Sequence, residues 1–497
     1  MVNYTKKAVK GVIIVFVMSI LASIFGYFLR LILARTLTIE EFGLIYSIIY
    51  FFGFFSIFQN LGLAEALVKY IAEFKVRNQF SEIKNSIIIA FLSQLLSSIV
   101  IGLIFIIFSQ FLSVNYFHYP DASLLIKIYA IAVILYPTIG IFSSIFRGFQ
   151  HMKYYSLIDF SWILFIFTAT FILLNLGFGI LSPFIAYLLV NILPVIFYFP
   201  LFIKKTFPDF FEIKFRFDKI LTKKLFLFGI PVMLSGFAGV IFSYTDTIMI
   251  TYFRSLKEVG LYNVGMPTAQ ILSRVALALV VVLLPISSEL WAKKNFKKLK
   301  IGIELLYKYS FILVLPLSLL MFLFPEIILN VLFGESYLEA ADVLRILSIG
   351  TIVFTIAQIN NSILSGIGKP KIVSKIMLVS ACFNAVLNFF LIPMIGIVGA
   401  AIATFISFFL MMIYSTKNLR KYVDFKLQEM SFLKTIFSGL IFVFIISFIK
   451  NLLQLNVWTE LFISISIGTA VYVLLIFALR IINLGEIRNI VNSSQKN

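Results

Sequence analysis

The sequence predicts an all-α integral membrane protein of fourteen transmembrane helices. Three observations carry that prediction. The first is composition: of 497 residues, 61% are hydrophobic and only 13% charged, with a mean hydropathy of +1.06. Soluble domains sit near 45–50% apolar and about 25% charged. The second is that the apolar excess comes in long, non-alternating runs of helix-spanning length, which rules against barrel strands. The third is the placement of charge. If the N-terminus is cytoplasmic and fourteen runs cross, the inner segments 6–10, 69–84, 147–153, 204–224, 293–300, 369–375, 417–434 and 480–496 hold 32 Lys and Arg. The outer segments hold four: Arg35, Arg254, Lys257 and Lys450. One span missed or invented would scramble that alternation.

Taken in order, the first run, 11–34, follows Lys6, Lys7 and Lys10 and is longer than a signal-peptide core, with no A-x-A-like site after it, so it reads as an uncleaved span. Arg30 interrupts it before the apolar stretch ends. Ser19, Ser23, Gly26 and Arg30 are spaced 4, 3 and 4 and fall within about 60° of one another on a helix. The second run, 43–68, lines up Tyr50, Gly53, Asn60 and Ala64. Runs 86–108, 124–146, 155–175 and 180–203 follow; Asp159 lies near the inner end of the fifth. The seventh, 225–251, aligns Gly236, Gly239, Ser243 and Asp246, and the eighth, 262–288, aligns Asn263, Pro267, Gln270 and Arg274. Runs 303–324, 343–365 (with Gln358, Asn361, Ser362 and Ser365 on one side), 373–393, 396–416, 432–450 and 457–479 complete the set.

An internal duplication organises these runs. SIFRGFQHMK (144–153) and SILSGIGKPK (362–371) match 218 residues apart; GILSPFIA (179–186) matches GIVGAAIA (396–403), and FGLIY (42–46) matches VGLYN (259–263), each 217 apart. Six helices per copy is an even number, so both copies enter the membrane the same way, as in transporters built from parallel repeats. The expected domains are an N-terminal six-helix lobe at 1–203, a basic cytoplasmic linker at 204–224, a second lobe at 225–417, and two extra helices with a cytoplasmic tail at 418–497.

A guanidinium at mid-membrane costs about 2.5–3.5 kcal/mol on insertion scales, so it is expected to face protein or water rather than lipid. Two readings stand for each arginine. Arg30 either faces a wet cavity or snorkels outward. Arg274 either lines that cavity or pairs with a buried carboxylate such as Asp246. Small and amide residues also mark tight helix contacts and interhelical bonds in membranes. Arg30, Arg274, Asn60, Gln270, Ser23 and Gly26 are therefore candidate cavity residues, and Asp246 and Asp159 are candidates for ion coupling.

Other classes are excluded. The net charge of +19 is the positive-inside rule summed over inner loops and tails, so no nucleic-acid partner is implied. The KKNFKKLK patch (293–300) suits anionic lipid headgroups. One cysteine, Cys382, and two histidines form neither a disulfide nor a metal cluster. GFGILS (177–182) lacks the last glycine of a dinucleotide fingerprint; a Walker motif ending at Gly368-Lys369 would begin on Ile363 and has Pro370 where Ser or Thr belongs. The longest non-membrane stretch has no room for an enzyme's catalytic domain. The expectation is a transporter without a cofactor, driven by a Na+, H+ or cargo gradient.

The R-x-L…E-x-G-L turns (Arg35 to Tyr46, Arg254 to Tyr262), the S-I-x-x-G…K turns, the YTDTIMI run (244–250) and the two extra C-terminal helices together resemble the polysaccharide-exporter, or repeat-unit flippase, branch of the multidrug/oligosaccharidyl-lipid/polysaccharide (MOP) superfamily. That resemblance implies two lobes forming a V around a central cavity lined by helices 1, 2, 7 and 8. It implies a cargo of lipid diphosphate-linked oligosaccharide moved from the cytoplasmic to the outer leaflet of the cell membrane by alternating access. It further implies cationic cavity residues for the head group, which Arg30 and Arg274 match. Other polysaccharide-assembly proteins are expected neighbours and the monomer the working unit. An ion-coupled multidrug antiporter of the same superfamily is the alternative; its cavity is dominated by carboxylates, where this chain places arginines.

Overall fold

The computed structural model describes residues 2–425, 429–452 and 457–482. The helices are α1 (Val2–Thr36), α2 (Ile39–Asn60), α3 (Leu63–Val76), α4 (Phe80–Ile107), α5 (Ser109–Asn115), α6 (Ala122–Leu135), α7 (Pro137–Gly148), α8 (Met152–Asn175), α9 (Leu181–Leu189), α10 (Phe199–Leu201), α11 (Lys219–Phe253), α12 (Leu256–Ala292), α13 (Phe296–Leu323), α14 (Pro325–Phe333), α15 (Ala341–Gly366), α16 (Pro370–Arg420), α17 (Glu429–Leu452) and α18 (Val457–Ala478). Short 3₁₀ and π turns join some of them, and no strand occurs among the described residues. In a bilayer every backbone polar group needs an internal partner, so an all-helical chain is the direct consequence of the composition.

Eleven segments among the described residues are long and apolar enough to cross a membrane. Two predicted spans, 373–393 and 396–416, share the segment Pro370–Arg420, which breaks at Ile395 and Gly396, where Gly396 has φ +62. The predicted eighth span falls in α12, whose side chains at 274–285 lie outside the described residues. The last falls in α18, with a described apolar stretch Phe462–Ala478. The number fourteen thus rests on the charge alternation, and labelling tests it. In a Cys382→Ser background, a single cysteine in 325–340 is expected to react with an impermeant maleimide from outside, and one in 204–216 to stay unlabelled. The reverse pattern excludes the topology.

Local chemistry places the helix ends. Thr38 and Glu41 form a capping box at the start of α2, with Glu41 N–H donating to Thr38 Oγ1 at 3.2 Å and Thr38 N–H to Glu41 Oε2 at 2.9 Å. Asp218 caps α11. The predicted second span, 43–68, is two helices: Leu61 (φ 52) and Gly62 (φ 68) both turn left-handed between α2 and α3. The expected linker 204–224 is already helical from Lys219. Its irregular part is tied down, because Lys84 donates to the carbonyls of Phe210 and Ile213 at 2.7 and 2.5 Å, and Asn85 accepts from Arg216 N–H at 3.1 Å.

The chain forms two compact units. The first comprises Met1–Val264, Leu332–Tyr337 and Ala385–Ala400; the second comprises Gly265–Val331, Leu338–Asn384 and Ala401–Asn497. Within the first, α1 lies along α8, with Phe25 edge-on to Phe160 and Phe167. A bidentate Arg147–Glu65 pair at 3.0 and 3.1 Å joins α7 to α3. The α2 helix runs along α11. Gly43 and Gly260, 217 residues apart and so equivalent in the duplication, make reciprocal contacts. A Cβ on Gly43 would lie 1.9 Å from the Leu256 carbonyl oxygen, and one on Gly260 would lie 2.5 Å from that of Ile39. Leu256 and Ile39 are themselves 217 apart, so this is a two-fold contact between repeat copies, closed by backbone.

Within the second unit, Tyr307 and Asn360 bond side chain to side chain, and Asn360 Nδ2 donates to Ser415 and Thr416 at 3.0 and 2.9 Å, joining α13, α15 and α16. The two C-terminal helices are packed, not appended. Phe442, Ile446, Tyr472 and Ile476 form one cluster with Ile312 and Phe324 of the α13 region, and Tyr472 donates to the Ile312 carbonyl at 3.0 Å.

Candidate functional site

The candidate site is built around Arg30 in the first unit. Its side chain is 9% exposed, which answers the sequence-level choice: Arg30 does not snorkel outward but turns onto α2. The guanidinium carbon sits 4.0 Å from the ring centre of Tyr46, and Nη2 lies 3.5 Å from the Tyr50 hydroxyl. Nη1 donates to the backbone carbonyl of Asn263 in α12. That carbonyl has a reason to need a donor. Its ordinary helical partner would be the N–H of residue 267, and residue 267 is proline. Pro267 frees the carbonyl, and Arg30 takes it.

Among the described residues no carboxylate pairs with Arg30. Its charge is met by a π face, a phenol and a peptide dipole, which together replace part of its lost hydration without cancelling it. The cation therefore keeps its capacity to attract an anion. Tyr46, Tyr50 and Tyr244 continue from it as a ladder, with ring centres 5.9 and 5.5 Å apart along α2 and onto α11. Gly53 permits the last step, since a Cβ there would come within 2.8 Å of the Tyr244 ring.

The other sequence candidates are placed as follows. Ser23 is exposed, and its hydroxyl donates to the Ser19 carbonyl at 2.8 Å. Gly26 is half-buried and lies against α8, where a Cβ would meet Ile163 at 3.6 Å. Asn60 is exposed; its Oδ1 accepts from Ala64 N–H at 3.0 Å across the α2–α3 break and faces Gln94 Nε2 at 3.4 Å. Asp159 is exposed on α8. Asp246 is buried and accepts from the Tyr262 hydroxyl at 2.5 Å and from Asn388 Nδ2 at 2.6 Å. Gln270 belongs to the second unit, with Nε2 3.8 Å from Met266 Sδ. The Arg274 side chain lies outside the described residues. Among the described residues no three His, Cys, Asp or Glu gather as a metal site.

The sequence places Tyr50 on one face with Gly53 but does not single out Tyr46 or Tyr244 as site residues. Tyr46 and Tyr50 are one helical turn apart and share a face with Gly53, a signal available in principle. The partnership of Tyr244 with Tyr50, and of the Asn263 carbonyl with Arg30, is formed only by folding.

A bundle of apolar helices that keeps an arginine, amides and tyrosines inside is the construction of a multi-pass membrane transporter. The profile described as polysaccharide biosynthesis protein matches residues 8–291, and one described as MatE matches residues 231–390. The chain belongs to the polysaccharide biosynthesis protein family, within the MOP superfamily. An uncharacterized membrane protein of Methanocaldococcus jannaschii is 36% identical over 503 residues, covering 99% of each chain. The probable low-salt glycan biosynthesis flippase Agl15 of Haloferax volcanii is 27% identical over 250 residues, covering 50% of this chain and 53% of Agl15. Among solved structures, the lipid II flippase MurJ in an inward closed conformation superposes with a TM-score of 0.76 at 18% identity, covering 93% of this chain and 98% of MurJ.

Proposed function

We propose that this protein moves a lipid diphosphate-linked oligosaccharide from the cytoplasmic to the outer leaflet of the cell membrane, by alternating access. The observation that carries the reading is Arg30: a buried cation without a carboxylate partner among the described residues, in a family of polysaccharide biosynthesis proteins. A diphosphate with an acyl tail needs an enclosed, positive path, and a guanidinium offers it a two-pronged donor that stays charged. Arg274 is proposed as a second contact for the head group or an acidic sugar, with Asn60, Gln270, Ser23 and Gly26 lining the path. Asp246, held between a phenol and an amide, is the proposed site of Na+ or H+ coupling, with Asp159 as the alternative. Both termini are placed in the cytoplasm by the charge alternation.

The MatE match over 231–390 favours a second reading, a cation-coupled antiporter. An arginine at the core of the site argues for anionic cargo and against it.

The test is complementation. A host lacking its own repeat-unit flippase is expected to regain surface glycan when this chain is supplied, with the amount normalised to membrane-inserted protein. Inserted protein without surface glycan, together with resistance to cationic drugs, would sink the flippase reading in favour of the antiporter.

A further inference from the structure

Beside the tyrosine ladder, and wholly within the first unit, lies a cavity of about 220 Å³. At about 30 Å³ per water it would hold roughly seven waters. Six aromatic side chains wall it, Phe52, Tyr129, Tyr136, Trp162, Tyr187 and Tyr244, and no charged residue does. Trp162, Tyr187 and Tyr129 make successive edge contacts at 5.8 and 5.4 Å between ring centres.

Three polar atoms of lining residues are buried and have no hydrogen-bond partner: Gln59 Nε2, Trp162 Nε1 and Asn191 Oδ1. Gln59 is 6% and Asn191 8% exposed. The amide nitrogen of Asn191 is already committed, donating to the Tyr187 and Leu188 carbonyls at 3.0 and 3.2 Å, so its oxygen is fixed as an acceptor. Buried groups of this kind are nearly always paired in a working protein, and leaving each unpaired costs about 1–3 kcal/mol.

The chemistry of the three orphans selects the ligand. Two are N–H donors, which cannot ligate a metal cation, and no carboxylate lines the cavity to neutralise one. No cationic side chain lines the cavity, so an anion is not matched. An acyl chain would leave all three atoms unpaired against hydrocarbon. A neutral polyhydroxylated ring matches: each hydroxyl both donates and accepts, and the ring's C–H face suits an aromatic wall. The volume accommodates one such ring. We propose that this cavity is a sugar subsite that takes a single neutral pyranose of the cargo through Gln59, Trp162 and Asn191. The proposal rests on the reading of the chain as a carrier of lipid-linked glycan.

The experiment uses the full-length protein in lipid nanodiscs. The chain has three tryptophans, so Trp291→Phe with Trp458→Phe leaves Trp162 as the reporter inside the cavity. Glucose, galactose, N-acetylglucosamine and N-acetylgalactosamine are titrated as free sugars, with glycerol as the ringless polyol. At least one sugar is expected to shift Trp162 emission saturably in the millimolar range, and glycerol is not. Gln59→Met, which keeps length and removes the orphan donor, is expected to weaken that sugar tenfold or more while thermal stability holds or rises. Val133→Phe, which fills the cavity, is expected to abolish the response.

No saturable response to any sugar overturns the proposal. So does wild-type titration in both variants, or a fall in stability for Gln59→Met, which would mean that the amide is bonded by structural water alone. The two readings separate cleanly. Normal glycan export by a protein carrying both Gln59→Met and Val133→Phe leaves the flippase standing and removes the subsite. Sugar binding by a chain that fails complementation does the opposite.

Discussion

Arg30→Ala is expected to lower surface glycan by about tenfold or more per inserted molecule. A hydrogen bond to a charged group contributes about 1.5–3 kcal/mol, which converts to about tenfold to hundredfold in affinity. The substitution is informative because it strands no opposite charge: no described carboxylate depends on Arg30, so the heavy cost of breaking a buried ion pair does not apply. What it does strand is the Asn263 carbonyl, already deprived of an N–H by Pro267, at about 1–3 kcal/mol. Some loss of folded protein is therefore expected, and export must be read per molecule in the membrane. Arg30→Lys separates the parts. Lysine keeps the charge and one donor for the carbonyl but loses the fork and the stacking on Tyr46. Intermediate export is expected, with protein levels close to normal. Wild-type glycan from Arg30→Ala would sink the role of Arg30 in cargo binding even if complementation by the parent chain succeeds.

The second large effect is structural. Gly43→Ala is expected to destabilise the protein by about 3 kcal/mol or more, at or above the upper end of ordinary overpacking. A new Cβ there would sit 1.9 Å from the Leu256 oxygen and 2.9 Å from its carbon. Both are backbone atoms of a helix start, so no rotamer change relieves the collision. Gly260→Ala should behave alike, since its Cβ would be 2.5 Å from the Ile39 oxygen. The two sides share one contact, so the double variant should cost less than the sum of the singles. Thermal unfolding in detergent measures this. A Gly43→Ala protein that melts like the parent would refute the close reciprocal contact.

Much of the fold was legible because a bilayer imposes simple rules. The all-helical class, most of the run positions and the matched glycines Gly43 and Gly260 follow from hydropathy and a constant offset of 217 residues. The misread elements are ones where hydropathy is blind. An apolar run looks the same whether its helix continues or breaks, so the left-handed pair Leu61–Gly62 inside the second span did not register. Polarity alone also gave no reason to single out Gln59 beside Asn60. The structure buries Gln59 in the wall of the smaller cavity and leaves Asn60 exposed at the helix break, because adjacent residues lie about 100° apart around a helix.

By itself the sequence determined the class, a membrane-embedded helical transporter, and marked Arg30 as the residue needing explanation. It could do so because the energetic penalty of a charge in hydrocarbon is large and local, readable from one position. Only the tertiary structure decided how that penalty is met. Tyr46 and Tyr50 come from the next helix, and the Asn263 carbonyl comes from 233 residues away. The same holds for the cavity, whose walls come from helices distant in the chain. Partners of this kind are set by which helix faces pack together, a property of side-chain fit that no single stretch of sequence contains.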